Sequence, residues 1–178
     1  MKASEVTPEV IGKRVSCIEN GYRVTGTIIG IVDTEYELGV RIKFDVPLTC
    51  WSGNFNTESW VETEYDSTLA KHGVRDNLQY TRILETGGPM DWLESYRPKN
   101  EHFTTFEEVD MIVGKLGLAD MTNEEVAAKR NEVVMFYHDL KEKAIESGDR
   151  TKSWDLSTAM MSVTAAIDHY KIGRGMEI

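Results

Sequence analysis

The spacing of apolar residues changes near residue 86, and that change restricts the chain to two kinds of structure in series. Before it, apolar positions recur every second residue and β-branched and aromatic types dominate, the period of a half-buried strand. After about residue 104 they recur every three to four residues, the period of an amphipathic helix. The reading is an α+β chain: residues 1–85 form an antiparallel β-barrel, 86–103 a connector, and 104–178 a three-helix region. Its 178 residues suit one or two small domains, and 40% apolar content is enough for a packed core, which excludes wholesale disorder.

Strand signals fill the first part. Val15-Ser16-Cys17-Ile18 leads into Asn20-Gly21, residues that accept the positive φ angles of a tight hairpin. A long strand follows from Tyr22 to Val32, and Gly26 and Gly30 inside it signal a bulge or sharp bend. Asp33-Thr34-Glu35 is a turn. Leu38, Val40, Ile42 and Phe44 then alternate with polar partners until Pro47 ends the run. Trp60–Tyr65 and Leu78–Leu84 are later strands, with a polar loop from Asp66 to Asn77 between them.

The run from residue 12 to 45 resembles the opening strands of SH3-like small barrels of the Tudor and KOW type. Gly12, Val15, the turn at Gly21, Tyr22, Gly26, Ile31 and the Val40, Ile42, Phe44, Asp45 strand carry the resemblance. It covers about a fifth of the chain. It implies the fold and little about function, since such barrels serve many binding tasks.

Helix signals are equally local. Thr105 with Glu108, and Thr122 with Glu125, match the capping box, in which each side chain satisfies a backbone N–H of the other residue. Val109, Ile112, Val113 and Leu116 lie on one face of the first helix, which Gly117 ends. Val126, Val133, Tyr137, Leu140 and Ala144 stripe the second. Leu156, Met160, Val163, Ile167 and Tyr170 stripe the third, expected to run from near Ser153 to Gly173. The short link at Gly148-Asp149 implies an antiparallel helix hairpin. Met161 falls off the third helix's stripe, seven residues from Trp154, so a homodimer through the C-terminal helices is one arrangement the pattern admits. Wrapping by the connector is the other. The connector's Met90, Trp92, Leu93 and Tyr96 are too apolar for a free linker and pin it against one of the two halves.

The net charge is −10, spread along the chain, which argues against a nonspecific nucleic-acid binder and against docking on anionic lipid. No run approaches the roughly 20 apolar residues that cross a bilayer. The opening MKASEVTPEV lacks the apolar core of a secretory leader, and Cys17 and Cys50 are too few for a disulfide scaffold, so the expected location is the cytoplasm.

No motif for catalysis stands out. There is no nucleophile elbow and no phosphate-binding loop, and no two of His72, His102, His138 and His169 stand four apart as zinc ligands do. His138 and Glu142 are four apart, a spacing usual for a solvated pair. The expectation is a protein with no catalytic residue, no metal and no cofactor. The remaining chemistry lies in the barrel half. Trp51, Trp60, Glu62, Glu64 and Tyr65 mix aromatic rings with carboxylates, and alternation puts Trp60, Glu62 and Glu64 on one strand face. Exposed, that face suits a Lys or Arg side chain through cation–π contact and ion pairing. Buried, the rings fill the barrel core. The first reading is an acidic adaptor or inhibitor, of the sort common among accessory proteins of bacteria and phages, that binds a protein partner with a basic surface. The alternative is a protein that sequesters a small molecule or nucleotide, with a subunit interface as one place for it. Arg23, Arg41, Lys43 and Arg82 would hold the anion, and Trp60 or Tyr80 would stack on it. A third reading assembles an enzyme site from scattered carboxylates with His72 or His102.

Overall fold

The computed structural model describes residues 1–19, 22–45, 64–70, 81–85, 87–100 and 103–178. The chain divides into two compact units, Met1–Leu84 with Gly173–Gly175, and Glu85–Ile172 with Met176–Ile178.

The first unit is an antiparallel sheet of strands β1 (Arg14–Glu19), β2 (Tyr22–Asp33), β3 (Glu37–Phe44), β4 (Glu64–Ala70) and the two-residue β5 (Arg82–Ile83). Their spatial order is β4-β3-β2-β1-β5. Among the described residues no ladder joins β4 to β5, so the described sheet is open. The β1–β2 register ends on Glu19 opposite Tyr22. The turn expected at Asn20-Gly21 lies outside the described residues. Between β2 and β3, Thr34 closes the connection: its hydroxyl accepts from the Glu37 amide at 3.0 Å and its amide donates to the Glu37 carbonyl at 2.8 Å.

The long β2 carries the bend that its glycines signal. Its register against β3 slips between Ile28 and Gly30, so Ile29 is a bulge residue. At Gly26 a Cβ atom would come within 2.6 Å of the Lys43 carbonyl oxygen, so only glycine lets β3 approach there. One face of the sheet packs Val15, Cys17, Val24, Ile28, Val40, Ile42 and Phe44 into a core with Val10. Met1, Ala3, Val6 and Leu38 pack against it.

β4 differs from expectation. The segment from Asp66 was expected to be loop because it is polar, yet Glu64–Ala70 is strand. Its backbone is held by β3 along seven register pairs, from Glu37 opposite Ala70 to Lys43 opposite Glu64. A paired edge strand does not need an apolar face.

The second unit holds helices α1 (Trp92–Ser95), α2 (Phe106–Leu116), α3 (Asn123–Glu146) and α4 (Arg150–Gly173). Both capping boxes form, Thr105 with Glu108 and Thr122 with Glu125. Gly117 stops α2 at φ 67°. Arg130, early in α3, pairs with Asp168, late in α4, so these two helices run antiparallel. α4 begins three residues before the expected Ser153, because the Asp149 carboxylate accepts from the Lys152 amide at 2.9 Å and serves as its N-cap. Its core stripe includes Ala159, while Met160, expected on that stripe, is only half-buried. The positive φ after α4 is at Gly175, not at the expected Gly173.

Residues 87–96 pack on these helices. Gly87 lies so close to Gly117 that a Cβ there would sit 2.6 Å from the Gly117 Cα. The buried Tyr137 hydroxyl donates to the Leu93 carbonyl at 3.0 Å, and the Lys115 ammonium lies 5.3 Å over the Trp92 ring. Tyr96 reaches both Glu108 at 3.1 Å and Ser162 at 3.0 Å.

Candidate functional site

Side chains directly opposite each other on antiparallel strands project to the same side of the sheet. The register therefore sorts every residue of β1, β2 and β3 onto one of two faces. Cys17 opposite Val24 and Ile28 opposite Ile42 define the apolar face. The other face holds Arg14 opposite Thr27, Thr27 opposite Lys43, Ser16 opposite Thr25, Ile18 opposite Arg23, and Ser16 opposite Arg82. Arg41, two residues before Lys43, shares this face and lies opposite Asp66. Five cationic residues from four strands thus converge on one surface: Arg14, Arg23, Arg41, Lys43 and Arg82.

This face grades from enclosed to open. Arg23 is only 1% exposed, and Ser16 and Thr25 beside it are equally buried. Around them runs a bonded cluster. Arg14 donates to Asp45 through both terminal nitrogens, one of these bonds at 2.8 Å, and also to the Thr27 hydroxyl at 2.8 Å. Thr25 donates its hydroxyl to the same Asp45 carboxylate. Farther out, Arg41 meets Asp66 at 3.1 Å with both side chains about half exposed. Lys43 and Arg82 are exposed. The arrangement gives a buried cation on β2 with solvent-accessible cations on the strands to either side. Planar guanidinium groups offer forked donors that match carboxylate or phosphate oxygens.

Four of the sequence-predicted ligand residues, Arg23, Arg41, Lys43 and Arg82, are therefore on one face, while Tyr80 lies outside the described residues. Of the predicted partner-binding set, Trp51, Trp60 and Glu62 also lie outside them. Glu64 and Tyr65 belong to β4, at register positions opposite Lys43 and Ile42 respectively. Sequence reasoning missed Arg14, Ser16, Thr25 and Asp45. Period-two alternation from Arg14 to Ser16 to Ile18 was the signal available for the first two. Nothing in the sequence pairs Asp45 with Arg14 across β2.

Elsewhere, Cys17 is buried in the apolar core, and Cys50 lies outside the described residues, as do His72 and His102. Among the described residues, one grouping brings three possible metal-ligand atoms within 4.8 Å of one another: His138, Asp139 and Glu142, all exposed on α3. His138 and Glu142 stand 3.6 Å apart, as an exposed helical pair.

The most perturbed titrations belong to packing. Burial works to raise the pKa of the Glu108 carboxyl, but hydrogen bonds from the Lys99 and Thr105 amides and from the Thr105 and Tyr96 hydroxyls outweigh it and hold it below the ordinary value. Burial pushes Tyr96 up to about 12. Burial also raises Tyr137.

Residues 1–79 match a family described as a domain of unknown function, DUF7258. The match ends within the first unit and leaves the helical unit outside it. No curated protein and no solved structure matches the chain. Among the described residues, no helix is long and apolar enough to cross a membrane.

Proposed function

We propose that this is a non-catalytic binding protein of the cytoplasm that sequesters an anionic small molecule, a nucleotide or another phosphate-bearing metabolite. Its first unit is an SH3-like barrel and the cationic face of that barrel is the binding surface. One observation carries this reading. In a chain of net charge −10, the register gathers five cations on a single sheet face against four carboxylate positions, Glu37, Asp45, Glu64 and Asp66. The local balance is 5 − 4 = +1, opposite in sign to the whole. A face whose cations outnumber its carboxylates attracts an anion. Arg41, Lys43 and Arg82, the exposed cations, contact the bound group, and the buried Arg23 adds its charge to the field.

A second reading has its own support. With +1 on that face, the remainder of the chain carries −10 − 1 = −11, a field that draws in a partner with a basic surface. The anchors would be Trp51, Trp60, Glu62, Glu64 and Tyr65.

Calorimetric titration of the full chain separates the two, with ATP and inorganic phosphate as one pair of probes and a lysine-rich peptide as another. Saturable phosphate or ATP binding, weakened at least about tenfold by Arg41→Ala/Lys43→Ala/Arg82→Ala, is the expected result. Binding of the peptide alone, abolished by Trp60→Ala or Glu62→Gln/Glu64→Gln, would replace it with the second reading. Absence of binding to all probes would overturn both.

A further inference from the structure

Helix α4 carries a second stripe, separate from its core. The core side is Leu156, Ala159, Val163, Ala166, Ile167 and Tyr170, each fully buried. The second stripe is Thr151, Trp154, Thr158, Met161 and Ala165, at spacings of three, four, three and four. That averages 3.5 residues, the repeat that keeps one helix side against a partner helix. Trp154 is 72% exposed and Met161 58%. No charged residue interrupts the stripe from Thr151 to Ala165. Ile145 of α3, also exposed, lines a surface groove together with Trp154, Ser157, Lys141 and Arg150 and widens the apolar strip at the hairpin end. A single exposed tryptophan is ordinary. A tryptophan, a methionine and small residues in register along about 20 Å of helix form a packing seam.

We propose that the occupant of this seam is a second copy of the chain, with the two α4 helices packed antiparallel across a two-fold axis. The seam is complementary to itself in size. One antiparallel register sets Trp154 opposite the partner's Ala165, Met161 opposite the partner's Thr158, and Thr151 opposite the partner's Asp168. Each large side chain then faces a small one, and the two-fold axis repeats every contact. The seam is also complementary to itself in charge. The same register carries Arg150, at the start of α4, to the partner's Asp168 near the end. Arg130 occupies Asp168 through one bond to each oxygen, at 2.7 and 2.8 Å. Lys171 also lies 4.0 Å from Asp168, whose side chain is 18% exposed, and since a carboxylate has about four acceptor positions its open edge takes a second guanidinium. Antiparallel alignment also sets the positive end of each helix dipole beside the negative end of the other.

The test is light scattering coupled to size exclusion, with sedimentation velocity over a concentration series, on the full chain. The expected result is a concentration-dependent species of twice 20.2 kDa. Trp154→Ala and Ala165→Trp should each weaken self-association at least about tenfold, the first by emptying a layer and the second by setting two rings against each other. The double variant Trp154→Ala/Ala165→Trp exchanges large and small within the same layer and should restore the dimer. Far-UV circular dichroism checks that each variant keeps its helices, which exposed positions allow. A protein that stays monomeric throughout the series overturns the proposal. So does a dimer indifferent to both single variants, or a double variant that fails to restore association.

Discussion

Arg14 and Asp45 bind each other across the width of β2, through two parallel hydrogen bonds from one guanidinium to one carboxylate. Their side chains are 21% and 22% exposed, and Thr25 donates to the same carboxylate from below. The pair ties the start of β1 to the end of β3. Asp45→Ala removes the acceptor of three hydrogen bonds and should lower stability by about 1–3 kcal/mol in denaturant unfolding. The Arg14→Ala/Asp45→Ala double variant should be less destabilised than the sum of the single ones by about 1 kcal/mol. Strict additivity would show that the pair is not coupled.

Gly26 and Gly30 lie in the same strand and make opposite predictions. A Cβ at Gly26 would meet the Lys43 carbonyl oxygen at 2.6 Å and the Ile42 Cγ2 at 2.7 Å, while at Gly30 its nearest neighbour is the Arg41 Cβ at 4.0 Å. Backbone cannot yield as a flexible side chain does. Gly26→Ala should cost about 1–3 kcal/mol as overpacking, and Gly30→Ala should stay within about 0.5 kcal/mol of the parent. Thermal melts of the two variants side by side decide it. Equal losses would mean that β3 does not approach β2 as described.

Glu108 gives the helical unit an acid-sensitive point. Its folded pKa is depressed by its hydrogen bonds despite burial. A depressed carboxyl contributes stability that is present above its unfolded value and lost as pH falls through the folded one. Urea midpoints should therefore fall as pH drops below about 4.5. Glu108→Gln, which cannot ionise, should start lower and show a shallower fall over the same range. An unchanged slope in that variant would assign the acid sensitivity to other carboxylates.

Tyr96 and Tyr137 carry the opposite sign. Burial raises both, Tyr96 to about 12, so their neutral forms are favoured in the fold. Stability from a raised phenol is present below its unfolded value of about 10 and is lost as pH climbs toward the folded one. A spectrophotometric titration should find at least two of the seven tyrosines ionising late, together with the loss of far-UV ellipticity. Tyrosines that all titrate near 10 while the helices persist would contradict the burial of this pair.

What was legible in the sequence was local. Thr105 with Glu108 and Thr122 with Glu125 cap their helices within one turn of chain, so three-residue spacing was enough to identify them. The bulge in β2 was signalled by its glycines. Spacing alone places the start of the third helix near Ser153 because it does not show that Asp149, in the link after one helix, also caps the next. The strand at Glu64–Ala70 was missed from Asp66 onward because its polar side chains hide a backbone held by β3.

The sequence by itself determined the two periods, the helix caps and the apolar face of the sheet, because each depends on side chains a few residues apart and on the simple demand that apolar surface leave water. It also showed Arg23, Arg41, Lys43 and Arg82 as cations on strands. Only the tertiary structure decided that they share one face with Arg14, that Arg23 is enclosed while Lys43 and Arg82 are open, and that Asp45 belongs to Arg14. Those facts follow from strand register. A slip of one residue turns a strand's side chains to the other face, and a single bulge such as that at Ile29 resets every pairing beyond it.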